Sequence, residues 1–356
     1  MEANRTKKEL QERGKNKPDR ENAVPNGISI TEAGRKAAEQ KEPQRTPRRL
    51  ADAAVPVFDR KAAIKAMEEA ALSRREENDS FLSVCKRMFR NNKVAAASGV
   101  ILVIYVLMIL FADVIAPYDP AVVNLMERLQ PPSMAHICGT DELGRDIFSR
   151  ILYGGRVSLL VGLVPTSISM VIGIIMGLLS GYIRGLDALI MRLADIVLAF
   201  PSIVLAMVVM YTLGASTFNI FIALSIIGWA GTARIVRSQT LSLREMGFVE
   251  AARSMGVSRT KIMARHILPN CLPSLIVLFT LNIPDAILSE SNLSFLGVGA
   301  QPPDTSWGLM VSQAKGFAIS SPWMMLFPSL AILIMVLSLN FLGDGLRDEI
   351  DPHLKK

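Results

Sequence analysis

From position 94 onward the chain runs in apolar stretches of roughly 20 residues, and charged positions dominate before that point. A membrane-spanning helix needs about 20 mainly apolar residues. The pattern predicts six such helices, over 94–112, 157–183, 196–213, 218–233, 272–289 and 323–342. Pro165, Pro201 and Pro284 fall inside spans and are expected to kink or locally unwind them, which membrane helices tolerate where neighbours satisfy the freed carbonyls. A polar-tinged turn with Asp187, Arg192 and Asp195 precedes the third span; Arg192 and Asp195, three apart, have the spacing of a helix ion pair. Between the first two spans, Thr140 or Asp141 can cap a helix whose apolar face is Leu143, Ile147, Ile151 and Leu152, with Arg145, Asp146 and Arg150 turned away. That helix is too charged to span and is expected to lie along the outer surface.

Charge separates the chain into parts. Residues 1–93 hold 22 Lys and Arg against 15 Asp and Glu, whereas residues 94–356 hold 17 of each, so the whole formal charge of +7 lies in the first quarter. A neutral apolar body of that size excludes a nucleic-acid footprint. Residues 1–80 read as a charged, largely disordered extension, because a Lys-, Glu-, Asn-, Gln- and Pro-rich stretch cannot bury enough apolar surface to offset its ordering entropy. Both a solvated tail and a docking segment fit it. Residues 81–93 read as a basic juxtamembrane helix, with Phe81, Val84, Cys85 and Met88 opposite Lys86, Arg87 and Arg90 at the lipid surface. Basic residues recur at alternate loops, most densely from Arg234 to Arg265, where seven stand against two acidic ones. The positive-inside rule then places both termini in the cytoplasm. The first 50 residues lack an apolar signal region, so the first span reads as an uncleaved anchor.

Chemistry-bearing residues are sparse. Cys85, Cys138 and Cys271 share no metal-type spacing, and the predicted topology puts Cys138 on the opposite side from the other two. His136, Cys138 and Asp141 make only a weak metal constellation within one loop. No phosphate loop, zinc-peptidase motif or nucleophile elbow is present. Six spans without such chemistry suggest a channel, carrier or transporter subunit, not an enzyme, whose driving energy comes from another chain or an ion gradient.

The most informative segment is the long cytoplasmic loop at about 239–270. Helix formers run up to Met255, Gly256 can take the left-handed conformation that ends a helix, Ser258 can cap a second short helix, and Pro269 closes it. Phe248, Ala251 or Ala252 and Met255 share one stripe of the first helix, and Ile262 with His266 one stripe of the second. This makes an amphipathic knob suited to a groove on a partner.

The order Glu250-Ala251-Ala252, Gly256, Ile267-Leu268-Pro269 resembles the EAA loop of ABC-importer permeases, which couples the membrane subunit to its ATPase. Gly139-Thr140-Asp141-Glu142-Leu143-Gly144-Arg145-Asp146, Leu198-Ala199-Phe200-Pro201, Leu293-Ser294-Phe295-Leu296-Gly297, Pro302-Pro303 with Ser306-Trp307-Gly308, and Leu342-Gly343-Asp344-Gly345-Leu346-Arg347-Asp348 look like segments of the C-type permease of dipeptide, oligopeptide and nickel importers. The resemblance covers about 81–351 and implies an all-α membrane protein with the six transmembrane helices of the type I ABC importer permease fold, the permease domain occupying 94–356. It further implies a sister permease chain, two cytoplasmic ATPase subunits that carry ATP and Mg, an extracellular solute-binding protein that delivers peptide, and residence in a bacterial or archaeal cell membrane. No cofactor is expected on this chain. Glu250, Ala251, Ala252, Gly256, Ile267, Leu268 and Pro269 are the coupling candidates. The helix expected over 143–152 would brace the sister permease or meet the binding protein.

Asp285 and Glu290, at the outer end of the fifth span beside Pro284, are pathway candidates, since an ionisable group at membrane depth is expensive enough to suggest a water-lined route; a structural role in the interfacial zone or just beyond it fits them as well. A permease for nickel or another small solute, a secondary carrier and a membrane scaffold or sensor stand as the alternatives.

Overall fold

The computed structural model describes residues 87–350. The expectations for residues 1–80, and for Phe81, Val84 and Cys85, lie outside the described residues. Those described form an all-helical bundle. Five helices are long and apolar enough to cross a membrane, and a sixth span results if one bent pair is counted as a single crossing.

Residues 87–91 are helical, and Asn92 then caps α1 (Lys93–Leu110), its Oδ1 accepting from the amides of Val94 at 3.1 Å and Ala95 at 3.0 Å. Arg87 is ion-paired with Glu349, and Met88, Ala95 and Leu346 share a buried cluster, so this entry packs against the far end of the chain. α2 (Ala112–Ile115) is one further turn. Arg156 closes the carbonyl end of α1, its guanidinium donating to Ile109 O, Leu110 O and Asp113 Oδ2.

α3 (Ile147–Tyr182) corrects the expected division into a surface helix and a span, because it is one helix of 36 residues. At 1.5 Å per residue it is about 54 Å long, well beyond the hydrocarbon thickness. Gly154 and Gly155 could have ended a helix at this place, yet both serve close packing. A Cβ at Gly154 would lie 3.2 Å from Thr305, and one at Gly155 would lie 2.7 Å from Ile109 and 3.0 Å from Trp307. Ile147 and Ile151 therefore pack into the bundle core, not along a surface. The cap also differs: Asp146 Oδ2 accepts from the Ser149 amide at 2.8 Å, while Asp141 closes the preceding turn by accepting from the Leu143 and Arg145 amides.

The third predicted span is a broken one. α4 (Arg184–Ala199) and α5 (Ser202–Leu213) meet at 92°. Pro201 forces the preceding Phe200 into an extended conformation at φ −95°, ψ 143°, which ends α4. The Arg192–Asp195 pair does not form; Asp195 instead accepts from Arg234, 39 residues further along the chain, at 2.7 Å.

α6 (Thr217–Leu243) continues ten residues past the predicted end, because its polar turns find partners on α4. Arg237 grips Asp187 with Nε at 2.5 Å and Nη2 at 2.7 Å. α3 and α6 run parallel and form the largest helix contact among the described residues. Gly173, Gly177 and Gly181, four apart on α3, meet Thr232, Val236 and Thr240 on α6. With no hydrophobic drive between helices in lipid, such small-residue stripes let backbones approach and gain dispersion contacts.

After α6 come α7 (Gly247–Ser254) and α8 (Arg259–Ile262), and a single π turn, Met263–Ile267, leads into α9 (Leu268–Phe295). Pro269 thus opens the long helix instead of closing the short one. It has no N–H for the carbonyl four residues back, and the wider turn before it accommodates that loss. α10 (Trp307–Gln313) tucks between α3, α9 and α11 (Trp323–Ile350). The helices run on through Pro165, Pro273, Pro284 and Pro328, so among the described residues Pro201 alone breaks a span. Residues 244–267 mark the knob end of the bundle, and residues 116–146 and 296–322 the loop end.

Candidate functional site

Two features stand out, a folded knob at one end and a polar cavity within the bundle. The knob is fixed to α3 by Arg244, whose Nη1 donates to Gly181 O at 2.8 Å. On α7, Val249 and Ala252 are buried in one cluster with Ile262 and Ile267. The two halves of the EAA-like segment are therefore held against a common core. Phe248 and Ala251 are half-buried, and Met255, expected on the same stripe, is 72% exposed at the tip. Glu250, Arg253, Ser254 and Pro269 also face outward, Leu268 is half-buried, and Arg259, Lys261 and Arg265 add exposed positive charge.

Gly256 makes the bend. Its φ is +77°, and the amides of Gly256 and Val257 donate to Arg253 O at 3.0 Å and Ala252 O at 3.1 Å. This pair of bonds is the Schellman closure of a helix, which needs a left-handed residue at this position. Ser258 begins α8 as its first carbonyl acceptor, although its side chain makes no capping bond.

The cavity has a volume of about 280 Å³ and lies between α3, α5, α6 and α9. Asn282, Asp285, Ser289 and Asn292 of α9 line one side, and Pro165, Thr166, Ser169 and Ser202 line others. The α9 residues recur at intervals of three, four and three, the period of one helix face. That polar stripe was present in the sequence and is the signal that would have found Asn282, Ser289 and Asn292 alongside Asp285. Glu290 points elsewhere: it is fully buried, and its Oε1 accepts from Ser306 Oγ at 2.6 Å and Ser294 Oγ at 2.7 Å, which anchors the start of α10. The sequence reading grouped Asp285 and Glu290; the structure turns one to a cavity and the other to a packing joint.

At the loop end, His136, Cys138 and Asp141 do not converge. His136 Nδ1 lies 2.9 Å from Asp146 Oδ1. Asp141 pairs with Arg145 at 2.7 Å and with the buried Arg150, which in turn donates to Gln313 at 3.1 Å. Cys138 is buried, which pushes its thiol up to about 11, with the Asp146 charge adding to the effect. Among the described residues no group of three His, Cys, Asp or Glu side chains could hold a metal ion. Trp307 is buried in the same region, its Nε1 donating to Ile151 O at 2.9 Å and its amide to Ser158 Oγ at 3.2 Å.

Comparison with known proteins extends these observations. The family model described as binding-protein-dependent transport system inner membrane component matches residues 169–356, and the one described as the N-terminal TM domain of oligopeptide transport permease C matches residues 80–132. A glutathione transport system permease protein from Pectobacterium atrosepticum is 43% identical over 76% of this chain and 90% of its own length. A dipeptide transport system permease protein from Alkalihalophilus pseudofirmus is 43% identical over 76% of this chain and 89% of its own. An oligopeptide transport system permease protein from Bacillus subtilis is 40% identical over 75% and 88%. A solved structure of the MetNI methionine ABC transporter in an inward-facing conformation aligns at 21% identity with a TM-score of 0.49, covering 57% of this chain and 97% of that one.

Proposed function

Because the chain belongs to the family of inner membrane components of binding-protein-dependent transport systems, we propose that it is the permease subunit of an ATP-driven importer of short peptides, a class that includes glutathione. The observation that carries the reading is a folded, outward-facing knob within a chain matched to that family over residues 169–356. In this reading the chain pairs with a sister permease. An extracellular solute-binding protein delivers peptide at the loop end, and two ATPase subunits carrying ATP and Mg bind the knobs. Both termini then lie in the cytoplasm, in agreement with the exposed positive charge of Arg253, Arg259, Lys261 and Arg265 at the knob end.

Coupling is assigned to Glu250, Ala251, Ala252, Gly256, Ile267, Leu268 and Pro269, in different parts. Glu250 and the Met255 tip supply contact surface for the ATPase. Ala252 and Ile267 key the knob to the bundle, so that a push on the tip is transmitted to α6 and α9. Gly256 sets the angle between the two short helices. ATP binding closes the ATPase dimer, draws the knobs together and opens the spans toward the loop end; hydrolysis resets them. The cavity beside Asp285 forms part of the wall along which peptide passes, and Pro201 supplies the broken helix that gives it a polar corner at Ser202.

Purification of the tagged chain from its native membrane tests the reading. Recovery of two ATPase chains and one sister permease per complex, with ATP hydrolysis stimulated by the liganded binding protein, is expected. Recovery of the chain alone, with intact solute flux, would refute it.

A further inference from the structure

The polar face of the cavity is built around a single charge. Asn282, Asp285, Ser289 and Asn292 of α9, with Thr166 of α3 and Ser202 of α5, bring three hydroxyls, two amides and one carboxylate to one space of about 280 Å³. None of these six side chains makes a hydrogen bond or ion pair with another described residue. Asp285 lies 17 residues from the start of α9 and 10 from its end, so the space sits within the bundle, toward its loop end. A carboxylate among apolar spans without a partner is costly, and the neutral hydroxyls and amides beside it leave its charge uncompensated until a cation enters.

The charge selects the cation. No second Asp, Glu, His or Cys lines the cavity, and divalent ions are ordinarily held by several such ligands. One carboxylate flanked by neutral acceptors instead suits a primary ammonium, which has three N–H donors to place and one charge to neutralise. From this arrangement the geometry points to a subsite, centred on Asp285, that takes the free α-ammonium of the peptide in transit, with two of the neighbouring Asn282, Ser289 and Asn292 oxygens accepting its two remaining hydrogens. The apolar lining from Ile203, Ala206 and Ile227 would face the carbon skeleton. The inference rests on the importer reading, and it adds a selective step on the permease itself, separate from selection by the binding protein.

The test uses the complete importer in proteoliposomes with ATP enclosed and binding protein outside. Trialanine and glutathione, each with one free α-ammonium, serve as probes. Asp285→Asn removes the charge at nearly constant volume, and Asp285→Glu keeps it. Loss of one charge-assisted contact corresponds to about a 10- to 100-fold fall in uptake. Asp285→Asn should show that fall for at least one probe, Asp285→Glu should stay within a few-fold of wild type, and binding-protein-stimulated ATP hydrolysis should persist in both. Wild-type uptake by Asp285→Asn would overturn the subsite, as would equal loss in Asn and Glu variants, which would mark a shape requirement instead of a charge. Absence of ATP-dependent uptake in the wild type would count against the importer reading itself, so the two failures are told apart.

Discussion

Replacement of Gly256 separates backbone conformation from side-chain bulk. Its φ of +77° is in the left-handed region, and a Cβ built on it meets nothing within 4 Å. Any cost inside this chain therefore comes from the backbone. A non-glycine residue in this conformation costs about 1–2 kcal/mol, Asn less, and a β-branched residue sits there as an outlier. A penalty of that size changes the ratio of closed to open bend about 5- to 30-fold. The amides that report it are those of Gly256 and Val257, the donors of the closing bonds. Hydrogen exchange over residues 249–262 in the assembled complex should be accelerated by about that factor in Gly256→Val and much less in Gly256→Asn, although Asn and Val are similar in size. Peptide imported per ATP hydrolysed should fall in the same order. Equal exchange in Val and wild type, or identical behaviour of Asn and Val, would refute the conformational argument.

Further outcomes follow from packing and burial. Gly177→Val should lower the melting temperature of the membrane-extracted protein through an overpacking penalty of about 1–3 kcal/mol, because its Cβ would lie 2.6 Å from Val236 Cβ and 2.7 Å from Ala233 O, whereas Gly185→Ala, with nothing within 4 Å, should not. Trp307→Phe should cost about 1–3 kcal/mol in the same melt, from loss of the indole donor to Ile151 O and from the cavity left at a fully buried position. Cys138 should resist maleimide at pH 8, since a thiol titrating at about 11 is roughly one part in a thousand thiolate there. Its raised value favours the folded state below its ordinary value near 9, so that contribution should fade as pH rises from about 9 toward 11, read as falling thermal stability.

The apolar centres of the spans were legible because lipid-facing helices are apolar on most sides, as in α1, where Val100, Val103, Ile104 and Leu107 all remain exposed. Their ends were less so. The polar last turns of α6 read as loop until Arg237 is seen to grip Asp187, 50 residues earlier, a pairing no local window contains. Asp195 was given the wrong arginine for the same reason: Arg192 is near in sequence, but Arg234 is near in space. Gly154 and Gly155 look like a helix stop, and only their approach to Thr305, Ile109 and Trp307 shows them to be contact points. In the knob, by contrast, Gly256 was readable as a bend from sequence alone, because few residues other than glycine suit that conformation. The cavity was half readable. The charge of Asp285 drew notice, while the Asn and Ser positions that share its helix face required counting along α9.

The central claim is that this chain moves solute only when ATPases act on its knob end and a loaded binding protein acts at its loop end. Uptake of labelled trialanine and glutathione into proteoliposomes holding the complete complex addresses it directly. Uptake of at least one should require ATP on the knob side together with binding protein on the loop side, and should cease when either is withheld. Uptake of either by the chain without ATPases, driven by an ion gradient, would contradict the account and leave a secondary carrier in its place.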